Sequence, residues 1–241
     1  LPGPFGRHRR LRANIGLVAG LVGPSDRLVL HSAVYDTEAI NYFLRALPAA
    51  CGAREMHARI LPDGVISIRR YPLSPLKRAL QCARKLRRLF APELDYQCFG
   101  GDRIGSDAPF CDRIYVLPGL PNEYPSQKVR VLPPLVDARV RDEPAPGARR
   151  ALVIGQPLTP FRLMSAADLA ETTERMRRWL AGEGIASIDY KAHPKDDARE
   201  LGHPDYLVIE PAGALESHMA QTPYDVVIGV RSSSLLLARQ I

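Results

Sequence analysis

The chain has 241 residues, room for one large domain or two modest ones, and its 46% hydrophobic and 24% charged content is that of a globular protein with a core. The formal net charge of +7 favours anionic partners such as nucleotides, acidic glycans or lipid headgroups, without choosing among them. No apolar run approaches the roughly 20 residues of a spanning helix, no secretory signal is evident, and Cys51, Cys82, Cys98 and Cys111 show neither C-x-x-C nor a zinc spacing. They read as reduced thiols of a cytoplasmic protein. The chain begins at Leu1 rather than Met and stops at Ile241 inside an apolar segment, so it reads as trimmed at both ends.

In chain order, residues 14–23 suggest a helix tail and turn, and 27–31 a buried strand. Asp36 or Thr37 then caps a helix whose apolar residues recur at helical spacing. Residues 56–61 read as a second strand ending in Pro62-Asp63-Gly64, and 65–68 as a further short one. Residues 76–90 form an amphipathic helix with a strongly basic face. Strands are expected at 96–99 and 113–117, followed by a proline-rich irregular stretch over 118–141. Asp142-Glu143-Pro144-Ala145-Pro146-Gly147 is the clearest linker, dividing the chain into domains 1–143 and 148–241. Beyond it come a strand at 150–154, a helix capped by Ser165 and running through Leu180, and strands at 185–190 and 206–209. A short helix follows from Leu215, then a strand at 225–230, and Ser232-Ser233-Ser234 opens a last helix. Strands alternating with helices imply two parallel-sheet α/β halves.

Ligands in such sheets bind outside the carboxyl ends of the strands, and the chemically useful residues fall there. His193 leaves a strand with Pro194 behind it. The proline restricts His193 to extended backbone, and an imidazole there can protonate or hydrogen-bond a departing phosphate; a plain surface turn accounts for the same dipeptide. Ser232, Ser233 and Ser234 offer hydroxyls and the first N–H groups of a helix, a natural phosphate cradle, although capping alone also uses serine. Gly155 and Gln156 combine close backbone approach with an amide able to read a base or sugar. Asp63 could accept a proton from a sugar hydroxyl, and Asp-Gly is equally a common turn dipeptide. Lys77, Arg78, Arg84, Lys85, Arg87 and Arg88 form either a solvated face or a track for a polyanionic glycan or anionic membrane. No DNA- or RNA-binding motif accompanies them, so no nucleic-acid partner is expected. No carboxylate cluster suggests a catalytic metal.

Taken together, Asp63-Gly64, His193-Pro194 and Ser232-Ser233 resemble the motifs of the bacterial sialyltransferases, most of all the capsule polysialyltransferase family. Those are an acidic-acidic-Gly motif, then His-Pro, then Ser-Ser or Ser-Thr. The context Tyr190-Lys191-Ala192-His193-Pro194-Lys195-Asp196 and the segment Gly155-Gln156-Pro157-Leu158 add to the likeness, which is good over residues 150–241 and thin over 1–140. Pro62 departs from the pattern, standing where a second acidic residue belongs. The resemblance implies a GT-B-like α/β fold, two Rossmann-like domains with parallel sheets facing across a cleft. It also implies inverting transfer of sialic acid from CMP-sialic acid to a glycan hydroxyl without metal or other cofactor. On it, Asp63 is the base, His193 acts on the leaving phosphate, and Ser232 to Ser234 hold that phosphate. The acceptor would be a glycan, a polyanionic one included. The protein would sit in the cytoplasm or peripherally at the inner face of the bacterial inner membrane. Two alternatives stand beside this: another nucleotide-sugar enzyme, whether transferase or epimerase, on the same two-domain plan, and a non-catalytic acidic-glycan-binding relative.

Overall fold

The structure is a computed structural model that describes residues 4–64, 68–134, 149–230, 232 and 234–238. The chain divides into two compact units, Leu1–Pro133 and Pro134–Ile241. The linker expected at 142–147 lies outside the described residues, as does most of the short strand expected at 65–68.

The first unit carries a parallel sheet of β1 (Arg27–Ser32), β2 (Glu55–Ile60), β3 (Cys111–Val116) and β4 (Val129–Val131), in the order β1-β2-β3-β4. Its helices are α1 (Pro4–Val22), α2 (Glu38–Cys51) and α3 (Pro75–Lys85). Helix α2 is buried on two sides. Leu44 joins Ala58, Ile60, Ile114 and Val116 over the sheet, while Tyr42 and Ala46 meet Leu11 and Ile15 of α1. That double burial is why α2 is the most apolar helix of this unit.

Four expectations change here. Strand β1, expected to be buried, lies at the sheet edge and alternates exposed with half-buried residues. Residues 96–99 form no strand. Their backbone groups bond instead to two buried amides: Asn41 exchanges bonds with the Gln97 N–H (2.7 Å) and C=O (3.0 Å), and Gln81 Oε1 accepts from the Phe99 N–H at 3.0 Å. Buried backbone must find partners, and side chains serve as well as a neighbouring strand. Within the stretch expected to be irregular, β4 pairs with β3 in parallel. The basic helix ends as α-helix at Lys85 and tightens into a 3₁₀ turn over Leu86–Leu89.

The second unit carries β5 (Arg150–Ile154), β6 (Ser187–Lys191), β7 (Leu207–Val208) and β8 (Val226–Ile228), all parallel, in the order β7-β6-β5-β8. Strand β5 is central, and its residues from Ala151 to Ile154 are all buried. Ala151 and Val153 face Leu180 of α4 (Ala166–Gly182), while Leu152 and Ile154 face Met219 of α5 (Leu215–Gln221). A strand covered on both faces reads as a continuous apolar run, as Ala-Leu-Val-Ile does. Ser165 caps α4 as expected, accepting from the Asp168 N–H at 3.1 Å. The last element is the short α6 (Ser234–Ala238). Each unit is thus an α/β layer on a four-stranded parallel sheet, of the Rossmann kind.

Candidate functional site

The strand order of the second unit contains a reversal. From β5 the chain steps outward to β6 and β7, then returns to lay β8 on the other flank of β5. Loops leaving β5 and β8 therefore diverge, which opens a crevice at their carboxyl ends. In the first unit the order β1-β2-β3-β4 runs one way and has no such reversal among the described residues. The exits of β8, β5 and β6 lie side by side. They carry Ser232, Gly155 with Gln156, and His193 with Pro194 respectively. At one strand spacing each, the two outer exits are about 10 Å apart.

His193 is half-buried just beyond β6, followed by the exposed Pro194. Its Nδ1 accepts a hydrogen bond from the Lys195 N–H at 3.1 Å, and its C=O accepts from the Asp196 N–H at 2.9 Å. Because Nδ1 is an acceptor, the neutral ring carries its proton on Nε2, leaving that N–H to be donated. The other His-Pro pair makes the same local turn: His203 Nδ1 accepts from the Asp205 N–H at 3.2 Å. His203 differs in lying between β6 and β7, against the Tyr206 ring and the Asp205 carboxylate.

The loops after β5 and β6 are tied together by groups the sequence did not single out. Glu200, buried, accepts from the Leu158 N–H, from the Thr159 N–H at 3.0 Å, and from the Thr159 hydroxyl. Arg199 and Leu201 on either side of it adopt positive φ, 54° and 68°. Two non-glycine residues in this region is uncommon, and the Glu200 bonds and the Leu201 burial hold them there. Tyr190, fully buried at the end of β6, donates its hydroxyl to the Glu200 C=O at 2.9 Å, with Asp196 Oδ2 3.3 Å from the same oxygen. The other Asp196 carboxylate oxygen is buried and has no hydrogen-bond partner among the described residues. Gly155 donates its N–H to the Lys191 C=O at 2.9 Å. A Cβ on it would fall against the Tyr190 hydroxyl and 2.7 Å from the ring carbon Cζ. The glycine is therefore required by the tyrosine beneath it. Leu158 and Thr159 follow the Gly155-Gln156-Pro157 signature directly; an acidic residue near the second strand exit was the one sequence hint of the clamp.

At the β8 exit, Ser232 Oγ accepts from the Ser234 N–H at 3.3 Å, which makes it the cap of α6. The Ser234 hydroxyl donates to Glu216 Oε1 at 2.8 Å and so ties α6 to α5. Ser233 and Arg231 lie outside the described residues. Among the three serines, then, the cap and the tie are the two described roles.

Asp63 belongs to the first unit. It is exposed just past the carboxyl end of β2, beside Gly64 at φ 53°. Most of the basic residues of α3 turn inward. Lys77 pairs with Asp36 at 3.0 Å, Arg84 with Glu38 at 3.6 Å, and Lys85 and Arg88 with Asp95 at 3.6 and 3.9 Å. Arg87 reaches Glu38 and donates to the Tyr42 hydroxyl at 2.9 Å. Arg78 is exposed. The expected polyanion track is thus largely spent on ion pairs within its own unit. Burial pushes the Glu38 carboxyl up, but Arg87, the bonds from His8 and Arg87, and Arg7 outweigh it and hold the group below the usual carboxylate range. Burial pushes the Tyr96 hydroxyl up to about 12.

Among the described residues no cluster of His, Cys, Asp and Glu is arranged to hold a metal ion, and no helix is long and apolar enough to cross a membrane. No protein-family model, no curated protein and no solved structure matches the chain.

Proposed function

We propose that the chain is a GT-B-type, metal-independent, inverting glycosyltransferase that moves sialic acid from CMP-sialic acid to a hydroxyl of a glycan acceptor. The observation that carries this reading is the reversal at β5. It brings three sequence-distant segments, Ser232 with Ser234, Gly155-Gln156 and His193-Pro194, to adjacent strand exits of one sheet. That is the place where an open parallel sheet takes a nucleotide, and the three segments are the ones that resemble the bacterial sialyltransferases.

In this reading the donor's phosphate lies between the β8 exit and His193. With Nδ1 held by the Lys195 N–H, the imidazole donates from Nε2 to a phosphate oxygen and stabilises the charge that grows as the bond to the sugar breaks. Exposed Lys195, two residues past His193, adds positive potential near the leaving group. The Glu200 clamp keeps the β5 and β6 exits in one geometry, so that little reorganisation is needed during the reaction. Asp63 is the proposed base for the acceptor hydroxyl, supported by its exposure at a strand exit and by the Asp63-Gly64 motif.

The test is sialyl transfer from CMP-sialic acid by variants at His193. His193→Ala is expected to lower kcat by about 10²- to 10⁴-fold with an unchanged circular-dichroism spectrum. Gln places an N–H near the Nε2 position, whereas Asn replaces only the Nδ1 acceptor. His193→Gln should therefore retain more activity than His193→Asn. Near wild-type turnover by His193→Ala would overturn the role given to this residue.

A further inference from the structure

We propose that α3 and the turn after it seat this protein on an anionic lipid bilayer, apolar side down. The helix is packed the wrong way round for a surface helix. Its inward face is polar: Lys77, Gln81, Arg84 and Lys85 turn towards Asp36, Glu38, Asp95 and the 96–99 backbone. Its outward face is apolar: Leu76, Leu80, Leu86, Leu89 and Phe90 are 72%, 46%, 62%, 72% and 92% exposed. Leu76, Ala79, Leu80 and Ala83 stand at helical i, i+3, i+4, i+7 spacing and share one side. A helix whose charges are mostly paired within the unit and whose leucines are exposed leaves an apolar surface for something other than water.

The rim decides which occupant. Arg78 is exposed on α3, Arg88 stays exposed although it pairs with Asp95 at 3.9 Å, and the chain carries a net charge of +7. A second copy would bring two cationic rims together, whereas anionic headgroups neutralise them. The protruding Phe90 and the short helix, with leucines on one face and cations at its margin, fit an element lying in the headgroup plane rather than crossing it. This surface belongs to the first unit and stands independently of the reaction proposed above.

The test is co-sedimentation with phosphatidylcholine vesicles, with and without phosphatidylglycerol, for the wild-type chain and for Leu89→Ser/Phe90→Ser. Both substituted side chains are exposed, so the fold should tolerate the change. The wild type is expected to partition onto the anionic vesicles, and the variant about tenfold or more weakly. Cys82 gives a second readout. It is exposed on α3 while Cys51 and Cys111 are buried and Cys98 is half-buried, so a polarity-sensitive dye on it should shift to the blue when anionic vesicles are added. The proposal is overturned if the wild type stays in the supernatant, if it binds neutral vesicles equally well, or if the variant sediments as the wild type does. It is also overturned by a wild-type dimer that the double substitution dissolves and vesicles do not.

Discussion

A Cβ at position 155 would sit 2.7 Å from Cζ of Tyr190, a ring that is fully buried and whose hydroxyl donates to the Glu200 carbonyl. Gly155→Ala should therefore cost about 1–3 kcal/mol, as overpacking does, measured by urea unfolding of the second unit. Tyr190→Phe removes the hydroxyl that meets the new methyl first. In Gly155→Ala/Tyr190→Phe the two losses should sum to less than their separate costs. Strict additivity would mean that the hydroxyl is not what the glycine accommodates. The sequence marks Gly155 as permissive but cannot say towards what, because its neighbour Tyr190 lies on a different strand. His193 is the converse: its turn with Pro194 and Lys195 is local, so the residues spell it out in advance.

Among the elements, α3 is the one whose orientation cannot be read from its own periodicity. An amphipathic pattern announces two faces without saying which is buried. Glu38 at the start of α2 and Asp95 beyond the 3₁₀ turn draw the basic face inward. Residues 96–99 are a second case. Their apolar character suggests a strand, yet Asn41 and Gln81, distant in sequence, supply their bonds. The ion pairs have a pH signature. The Glu38 carboxyl titrates lower folded than unfolded, so it contributes stability above about pH 4.3, the ordinary value, and that contribution is lost as pH falls below it. Tyr96 is raised to about 12 by burial, so its contribution is present below about pH 10 and lost as pH climbs from there. Glu38→Gln should flatten the acid limb of the first unit's stability and Tyr96→Phe the alkaline limb, both read by urea midpoints across pH. An acid limb unchanged by Glu38→Gln would remove the arginine cluster from the account.

At the scale of the molecule, the two units differ in topology, and the reversal at β5 distinguishes the second. On the function proposed above the nucleotide belongs to the second unit, and Trp179 on α4 is the chain's one tryptophan. CMP at about 100 times its Kd should stabilise that unit by about 2.7 kcal/mol, so the melting transition followed by tryptophan fluorescence should rise. A tryptophan transition indifferent to CMP would count against a donor site at the β5, β6 and β8 exits. By itself the sequence determined the α/β class, most strand and helix positions, the capping of α4 and the strand-exit placing of His193, Gly155 and Ser232, because each of these follows from periodicity or from a few adjacent residues. Only the tertiary structure decided the order β7-β6-β5-β8, the clamp that Glu200 closes over the β5 loop, the inward turn of the α3 charges and the side-chain bonding of residues 96–99. Those depend on which distant groups meet, and burial and charge pairing settle such meetings among residues that no local pattern connects.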